Sequence, residues 1–475
     1  MIDKYDSLLN KKDYEKEQDE LLTFLLESRF FNNWKNQELP SDVNPLSNAT
    51  QIEFFITPTC NQKCEYCYLV KYDELYPHSI NTKDNIFKNL NSVLNWIKEN
   101  DFYISNIDLF SGEIWHLKLG QDFLTCLYDF CKKNPGYIGA FSIPSNGSFL
   151  LKDENFFIIQ NFIDKFKKIG VDLCFSLSID GKIIENKMRP LNSGENKEDD
   201  FYERAFLFAR HNDFGFHPMV SAQSVKYWIE NYQWWEEKFK EYDMNIYSLM
   251  MLEVRNADWT DESINDYNIF MNYLIEDLAK KCNYNSELMA KALFNFPKRQ
   301  NEIIPNLTVS NYTPYGLNLS SSYPGCTIPS HLCIRLGDLA ICPCHRTSYE
   351  KNIYGYFKTD DSNKIIGIKA NNPYLATRIL FGDNTICNPK CDVCKFNAFC
   401  LKGCFGAQME YNNDPFMPIP VVCKFFEFKL NNLIRLYEKY GIIDYLKQLA
   451  REENSQSDVT KKLLKECERI KNGLG

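Results

Sequence analysis

The chain has 475 residues, of which 44% are hydrophobic and 25% charged, so it is long enough for two or three domains and has the composition of a soluble globular protein. Its formal net charge of -9 leaves no surplus of basic side chains to neutralise phosphates, which argues against a nucleic-acid partner. No apolar run reaches the roughly 18 residues that a membrane span needs, and the polar start at 1–6 is unlike a signal peptide. We therefore expect a cytoplasmic protein.

Residues 57–68 carry a dense cysteine pattern. Cys60, Cys64 and Cys67 fall within eight positions, directly after an apolar run at 52–56 that predicts a short buried strand ended by Thr57 and Pro58. Three thiolates on one short loop suit an iron–sulfur cube in which one iron stays open for an outside ligand. The alternative is a zinc loop with a distant fourth ligand, because structural zinc takes four protein ligands.

The first half of the chain alternates between strand and helix patterns. Strands are predicted at Ile52–Ile56, Ile104–Phe110, Tyr137–Ile143, Val171–Ile179, Phe216–Ala222 and Asn245–Leu252. Helices are predicted between and after them, at Thr82–Asn100, Gln121–Lys133, Glu154–Lys168, Lys197–His211, Val225–Tyr242 and Glu262–Lys281. This alternation predicts an α/β fold, a partial (β/α)6 TIM-like barrel whose functional residues follow the carboxyl ends of its strands.

The other segments differ in character. A helical segment is predicted at 1–48, with an apolar stretch at 21–26 that docks on the barrel of residues 49–282. A proline-containing bridge follows at 283–325, and a cysteine-rich module follows at 326–423. The sequence then predicts C-terminal helices within 424–475, with a charged tail at 451–475.

The cysteine-rich module holds a second cysteine field. Eight of the 18 cysteines lie between residues 326 and 400, and two more follow at 404 and 423, which in a reducing compartment indicates metal binding rather than disulfides. Cys326 and Cys333 come first, followed by a hairpin-like turn of the form G-x4-C that ends at Cys342. The field then continues with C-x2-C-x5-C-x3-C spacing and one further cysteine, at Cys391, Cys394, Cys400, Cys404 and Cys423.

The C-x3-C-x2-C loop, with the aromatic Tyr66 before its last cysteine, resembles the signature of the radical S-adenosylmethionine (SAM) enzymes. The second cysteine field resembles the SPASM domain, the C-terminal extension of radical SAM enzymes that modify peptides and proteins. The resemblance implies that the three cysteines of the loop, Cys60, Cys64 and Cys67, hold a 4Fe–4S cluster whose open iron binds SAM. It also implies that electron transfer to SAM yields a 5′-deoxyadenosyl radical, which takes a hydrogen atom from the substrate.

Further SAM contacts are implied by the resemblance. The turn Gly112–Glu113 after the second strand is similar to the family's Gly-Gly-Glu-Pro motif, which holds the SAM amino group. Ser111 and Ile114 depart from that motif, because they replace its first glycine and its proline. Tyr66 belongs to the same implied set of cofactor-binding residues.

Later strand ends supply weaker candidates. Ser178, in a segment that resembles the family's Ser-Leu-Asp-Gly, is expected to contact the SAM ribose or carboxylate, and Asp180 either caps a turn or lines the substrate cavity. Arg189 either pairs with the SAM carboxylate or braces its loop. The turn at 144–148 either packs or lines the site. After the sixth strand, Glu253 and Arg255 form ion pairs or touch substrate.

Two auxiliary 4Fe–4S clusters follow from the resemblance to the SPASM domain. The first takes Cys326, Cys333, Cys342 and Cys404. The second takes Cys391, Cys394, Cys400 and Cys423. Cys344 and Cys387 lie close to both sets and either replace a neighbour or remain thiols, and two zinc sites are the alternative to the clusters.

The resemblance implies a radical SAM enzyme of the RiPP maturase type, which modifies a peptide or small protein by crosslinking, oxidation or epimerisation. An electron donor such as flavodoxin or ferredoxin is the expected partner. Three alternatives stay open: an enzyme of the same architecture that acts on a small molecule, an anaerobic sulfatase-maturating enzyme, and a non-catalytic iron–sulfur or zinc scaffold. Sulfatase-maturating enzymes look to carry an aspartate base after the G-x4-C cysteine, where this chain has Pro343.

Overall fold

A computed structural model of the protein describes residues 11–30, 51–110, 112–116, 118–244, 249–294, 331–380, 389–400, 403–452 and 455–472. Within these ranges, no helix combines the length and the apolar character that crossing a membrane requires. The chain divides into two compact units. Unit 1 comprises residues 1–178, 189–205 and 327–382, and unit 2 comprises residues 179–188, 206–326 and 383–475.

The described ranges contain strands and helices in alternation through the first half of the chain. The strands are β1 (Gln51–Phe55), β2 (Ile104–Phe110), β3 (Ile138–Ser145), β4 (Asp172–Leu177), β5 (Gly215–Phe216), β6 (Met219–Val220), β7 (Leu252–Glu253), β8 (His331–Arg335), β9 (Ala340–Cys342), β10 (Gly355–Thr359) and β11 (Ile365–Ala370). The helices up to residue 293 are α1 (Lys11–Phe30), α2 (Tyr68–Lys71), α3 (Lys83–Glu99), α4 (Leu119–Lys133), α5 (Asp153–Lys168), α6 (Glu185–Met188), α7 (Asp199–Asn212), α8 (Trp228–Glu241), α9 (Asp261–Lys281) and α10 (Ser286–Leu293). The later helices are α11 (Pro373–Leu380), α12 (Pro389–Asp392), α13 (Phe405–Asn412), α14 (Pro420–Lys439), α15 (Ile442–Leu449) and α16 (Ser455–Lys471).

Local sequence signals explain where the longer helices begin. The Thr82 side chain accepts a hydrogen bond from the Asn85 N–H, which caps α3, and Thr260 forms a capping box with Ser263 at the start of α9. Helix α3 then buries one apolar face at helical spacing, formed by Ile86, Leu90, Val93, Leu94 and Ile97.

Unit 1 is built on a large, mostly parallel sheet. Its strands lie in the order β11-β10-β9-β8-β1-β2-β3-β4. Strands β8, β1, β2, β3 and β4 run parallel, whereas β8 to β11 form an antiparallel meander. The mixed α/β class predicted from the sequence is therefore confirmed. The pairing of β8 with β1 joins the cysteine-rich segment to the first strands, a contact that no local pattern in the sequence indicates.

The two faces of this sheet differ in chemistry. On one face, Ile107, Leu109, Phe141 and Phe175 are buried, and the Phe141 ring lies 5.6 Å from that of Phe166 on α5. The alternate residues of β2, β3 and β4 are polar and half-buried, including Asn106, Asp108, Ser142 and Ser176. Because successive side chains of a strand point to opposite faces, the polar residues share the second face.

The N-terminal helix α1 packs on unit 1 through the apolar stretch that the sequence singles out. Leu22, Leu25 and Leu26 are buried. The carboxylate of Asp19 accepts a hydrogen bond of 2.7 Å from the Ala370 N–H of β11 and forms an ion pair with Lys358 of β10.

The predicted strand Phe216–Ala222 is wrong as a single element. Pro218 has no N–H to donate, and it separates β5 from β6. Strand β6 pairs in parallel with β7 as a two-stranded sheet in unit 2. Residues 245–248 of the predicted sixth strand lie outside the described residues, and β7 covers only the end of that prediction and Glu253.

The charged tail predicted at 451–475, within the C-terminal helices of 424–475, contains helix α16 at residues 455–471. Leu463, Leu464, Cys467 and Ile470 of this helix are buried. Their spacing of one, three and three residues is helical, so the signal was present among the charges.

A buried ion pair links two helices of unit 2 to β7. The Glu253 carboxylate contacts the Lys429 ammonium of α14 and the Tyr267 hydroxyl of α9. Burial alone raises the pKa of Glu253, but the Lys429 charge and the two hydrogen bonds hold it below its ordinary value. This is the ion-pair role that the sequence predicts for Glu253.

Replacing Lys429 by methionine will leave Glu253 buried without its counter-charge. We expect the free energy of unfolding to fall by about 3–5 kcal/mol, measured by urea denaturation. Lys424→Met on the same helix is the matched control. Lys424 pairs with the exposed Asp261, so losing this pair should lower the free energy of unfolding by at most about 1 kcal/mol. Equal losses of stability in Lys429→Met and Lys424→Met would contradict this role.

The same carboxylate makes the stability of the protein depend on pH. Because the pKa of Glu253 is lowered in the folded state, the stability that Glu253 contributes is present above its unfolded pKa and is lost as pH falls below about 4.

Candidate active site

The cysteine loop follows the carboxyl end of β1 and leads into α2. The Cys67 N–H donates to the Cys64 carbonyl (3.0 Å), and the Cys67 carbonyl accepts from Val70 and Lys71 in the first turn of α2. Cys60 and Cys67 are half-buried and Cys64 is buried. All three are thiols rather than disulfide partners.

Backbone hydrogen bonds hold the turn after β2 against this loop. The Gly112 N–H donates to the Thr57 carbonyl (2.6 Å), and the Glu113 N–H donates to the Thr59 carbonyl (2.9 Å). The approach is so close that a Cβ on Gly112 would lie 2.1 Å from the Thr59 oxygen. Glycine is therefore required at this position for the two loops to meet. Ser111 lies outside the described residues.

Gly112→Ala will force the cysteine loop and the Glu113 turn apart. A displacement of this kind typically costs catalysis roughly 10- to 100-fold, and we expect that loss in the SAM cleavage that the family resemblance implies for this chain. The control is Gly170→Ala, at a turn with φ of 75° and open space around the Cβ, which lowers stability through backbone strain but leaves SAM cleavage intact. An unchanged cleavage rate in Gly112→Ala would show that the close approach is not needed.

Glu113 is a buried carboxylate at the end of β2. It is 3% exposed, and its Oε2 accepts hydrogen bonds from the Ser145 hydroxyl (3.0 Å) and the Asn146 N–H (2.9 Å) at the end of β3. Burial raises the pKa of Glu113 to about 7, against the lowering effects of these hydrogen bonds and of the Lys197 charge. A cationic group placed beside it would restore the ionised form.

The turn after β3 touches both Glu113 and the cysteine loop. The Asn146 side-chain amide donates to Asn61 Oδ1 (2.8 Å) and lies 3.7 Å from Cys60 Sγ. Asn61 in turn donates to the Ser148 hydroxyl (2.9 Å). The sequence left open whether this turn packs or lines the site, and its contacts place it in the wall of the site.

Residues 189–192 hold the cysteine loop from another side. The Lys63 N–H donates to the Pro190 carbonyl (3.1 Å), and the Asn192 side chain donates to the Cys60 carbonyl (3.0 Å). Arg189 is buried, with its Nη1 4.0 Å from Cys64 Sγ and its guanidinium 5.2 Å from the centre of the Tyr66 ring. These contacts brace the loop and bring a positive charge to the thiols.

Ser178 and Asp180 follow β4 in different units. The Ser178 N–H donates to the Ser145 carbonyl (2.7 Å), which brings the end of β4 to the end of β3 in unit 1. Asp180 belongs to unit 2, where its Oδ1 accepts from the Met219 N–H (2.8 Å) and its backbone carbonyl accepts from Asn231 (2.7 Å). Its carboxylate therefore caps the backbone at the start of β6.

The arrangement around the loop fits an iron–sulfur cluster with SAM. Cys60 interacts electrostatically with Glu113 and Cys67, and the Arg189 guanidinium lies 4.0 Å from Cys64, so a carboxylate and a guanidinium neighbour the thiols of the loop. Among the described residues, no acceptor reaches the buried Nε2 of Gln62, which lies in the loop between Cys60 and Cys64. Burial raises the pKa of the Cys60 thiol to about 11, so iron has to displace a proton there on binding.

The second cysteine field is divided between the units. In unit 1, Cys333 of β8 and Cys342 of β9 are partners across the strands and are fully buried, and Cys344 lies nearby with its sulfur 3.5 Å from the Thr347 hydroxyl. Burial raises the pKa of Cys342 to about 12. Cys326 and Cys387 lie outside the described residues.

In unit 2, five cysteines line one cavity of about 350 Å³, namely Cys391, Cys394, Cys400, Cys404 and Cys423. Arg255 also lines it, with its guanidinium 5.8 Å from the centre of the Phe426 ring. Cys404, which the resemblance groups with Cys333 and Cys342, therefore shares a cavity with the four cysteines of the other predicted set.

Some residues around the site were missed from the sequence. Ser145 and Asn146 hold Glu113, and the only sequence signal was an ordinary Ser-Asn-Gly turn. Glu53 was passed over as part of an apolar strand, although it is 3% exposed and accepts a hydrogen bond of 2.8 Å from the His345 N–H. A carboxylate between Ile52 and Phe54 was the available signal.

No protein-family model and no curated protein matches this chain. Solved structures of one protein, anSMEcpe, are similar to it in fold. Native anSMEcpe with bound AdoMet has a TM-score of 0.53 at 14% identity, covering 82% of this chain and 99% of that one. The hexahistidine-tagged form with bound AdoMet has a TM-score of 0.50 at 16% identity (82% and 95%), and the native form with bound AdoMet and Cp18Cys peptide has 0.50 at 16% (82% and 99%). At these identities the similarity establishes the shared α/β fold.

Proposed function

We propose that the protein is a radical SAM enzyme, with a partial β/α barrel followed by a SPASM domain. In this proposal Cys60, Cys64 and Cys67 ligate the 4Fe–4S cluster that binds SAM. The observation that carries it is the backbone connection between the cysteine loop and the Gly112–Glu113 turn, which sets a buried carboxylate beside the thiols. The fold similarity to anSMEcpe, solved with bound AdoMet, supports the same conclusion.

The chain's own residues bind and orient the cluster and SAM and shield the reacting atoms. When bound together, the cluster and SAM supply a 5′-deoxyadenosyl radical that removes a hydrogen atom from the substrate. Glu113 receives the SAM ammonium, because an ionised carboxylate is the natural partner of an ammonium group in a buried site. Arg189 balances the negative charge of the thiolates and, stacked on Tyr66, keeps its guanidinium fixed. Ser178, at the adjoining strand end, contacts the ribose or carboxylate.

Two auxiliary 4Fe–4S clusters complete the proposed cofactor set. Soft thiolates select iron–sulfur clusters or zinc, and five cysteines line the cavity of unit 2. We assign Cys391, Cys394, Cys400 and Cys423 to one cluster. The resemblance implies Cys326, Cys333, Cys342 and Cys404 for the other; of these, Cys333 and Cys342 are cross-strand partners in unit 1, whereas Cys404 lines the cavity of the first set. The electron donor is a flavodoxin or ferredoxin.

The proposed substrate is a peptide or small protein. The support is that anSMEcpe, whose fold this chain shares, was solved with a bound Cp18Cys peptide. The same observation favours a second candidate, an activity like that of anaerobic sulfatase-maturating enzymes. Pro343 argues against it, because the position expected to hold an aspartate base has no titratable group.

Anaerobic reconstitution tests the enzyme assignment directly. The protein should take up about twelve iron atoms per chain, the content of three cubes. With SAM and dithionite it should release 5′-deoxyadenosine and methionine, detected by liquid chromatography and mass spectrometry, whereas SAM without reductant should stay intact. Zinc in place of iron, with no cleavage of SAM, would leave the scaffold hypothesis standing instead.

A further inference from the structure

Three neighbouring strands of unit 1 bring metal-ligating side chains together beside Cys333, the register partner of Glu53. Glu53 on β1, Asp108 on β2 and His331 on β8 each offer a ligand atom, and these atoms lie within 4.8 Å of one another. Among the described residues, no other three His, Cys, Asp or Glu side chains bring their ligand atoms this close together. Glu53 and Asp108 are partners in the parallel register, and His331 is the partner of Gln51, two residues before Glu53 and on the same face.

Further side chains hold these groups in place. The Glu53 carboxylate accepts from the His345 backbone N–H (2.8 Å) and lies 3.2 Å from His345 Nδ1. Asp108 accepts from the Asn106 amide (2.8 Å), and Asn106 in turn accepts from the Ser142 hydroxyl (2.9 Å). Supporting hydrogen bonds of this kind orient carboxylate ligands in protein metal sites.

The imidazole of His345 is itself fixed. Its ring lies parallel to that of Phe110, at 3.5 Å between centres, and 5.8 Å from the ring of Tyr68. Its Nδ1 contacts Glu53, so His345 supports that carboxylate.

The three ligating side chains lie on adjacent, hydrogen-bonded strands, which hold them more rigidly than a loop would.

The charges of the cluster favour a cation. Two carboxylates on in-register neighbours repel each other, and Glu53 is 3% exposed, with the imidazoles of His345 (3.2 Å) and His331 (4.0 Å) beside it. Asp108 and His331 are half-buried on the polar face of the sheet, so an ion can reach the site. A divalent ion between them would remove the repulsion and leave coordination positions open toward that face.

We propose that Glu53, Asp108 and His331 form a binding site for one divalent metal ion of the Mn²⁺ type, with the remaining positions filled by water or by an oxygen of the substrate. The two carboxylates favour Mn²⁺, because this ion prefers oxygen donors to thiolates, and the single imidazole would also accept Fe²⁺ or Zn²⁺. Its three ligands are different residues from the cysteines of the proposed clusters, although Glu53 lies beside Cys333 in the sheet.

Mn²⁺ uptake by the reconstituted protein tests the site. After dialysis against EDTA, the protein is titrated with Mn²⁺ while the electron paramagnetic resonance signal of free Mn²⁺ is recorded. Wild type should remove about one ion per chain. Asp108→Asn and His331→Gln, both at half-buried positions, should each weaken binding at least about tenfold, because even loss of a supporting partner commonly costs 10- to 100-fold.

Two controls locate the ion. Asp122→Asn removes a half-exposed carboxylate of α4 that pairs with Lys83, and it should leave Mn²⁺ binding unchanged. The variant with Cys60, Cys64 and Cys67 all replaced by alanine should also bind Mn²⁺ as wild type does, even where it no longer cleaves SAM. No uptake by wild type, uptake insensitive to both Asp108→Asn and His331→Gln, or loss of uptake with the cysteines would each overturn the proposal.

Discussion

The variant with Cys60, Cys64 and Cys67 replaced by alanine will form no 5′-deoxyadenosine from SAM and dithionite. Without thiolates on this loop no cluster with an open iron can assemble beside Glu113, so electrons have no route to SAM. About eight iron atoms should remain, since the two proposed auxiliary clusters use other cysteines. Iron content and cleavage are measured on the same anaerobically reconstituted sample.

Cys126→Ala provides the matched control for this loss. Cys126 lies half-buried on α4 in the same unit. Among the described residues, its thiol hydrogen-bonds to the Asn91 side chain alone. Its removal should change neither the iron content nor SAM cleavage. Continued cleavage by the triple variant would refute the assignment of the three cysteines.

The second large effect is expected at Glu113. Glu113→Gln keeps the shape and the hydrogen-bond acceptor but removes the charge that receives the SAM ammonium. Hydrogen bonds to charged groups contribute about 1.5–3 kcal/mol, so we expect SAM to bind roughly 10- to 100-fold more weakly. Isothermal titration of the reconstituted protein with SAM measures it, and an unchanged dissociation constant would exclude Glu113 as the ammonium partner.

The same residue gives SAM binding a defined pH dependence. Burial raises the pKa of Glu113 to about 7, and only the ionised carboxylate attracts the ammonium. The SAM amino group stays protonated below about pH 7.5. Affinity should therefore fall by roughly tenfold for each pH unit between 7 and 5.5 in wild type, and stay flat in Glu113→Gln. Parallel profiles for the two proteins would assign the dependence to another group.

The fold was predictable where local patterns decide it. Ile104–Phe110 is rich in apolar residues of strand type, and the observed β2 has those bounds. Pro218 is the local sequence signal for the interruption between β5 and β6. The parallel pairing of β1 with β8 was out of reach, because residues 51 and 331 meet only through the tertiary fold and neither strand's sequence specifies its neighbour.

The candidate site was likewise predictable only where its residues are close in sequence. The cysteine loop and the Gly112–Glu113 turn are contiguous motifs, so spacing and family resemblance indicated them. Ser145 and Asn146 reach Glu113 from another strand, and His331 reaches Glu53 from a segment far along the chain. Such residues carry no local signature, since their chemistry arises only when strand ends and strand faces are brought together.

The most direct test of the proposed function examines the bond between the cluster and SAM. SAM labelled with ¹⁷O at its carboxylate is mixed with the reduced protein and frozen before it is cleaved, and electron–nuclear double resonance is recorded on the cluster. The proposal predicts a ¹⁷O coupling that is present in wild type and absent when Cys60, Cys64 and Cys67 are alanine. A reduced cluster that binds SAM with no ¹⁷O coupling in wild type would contradict it.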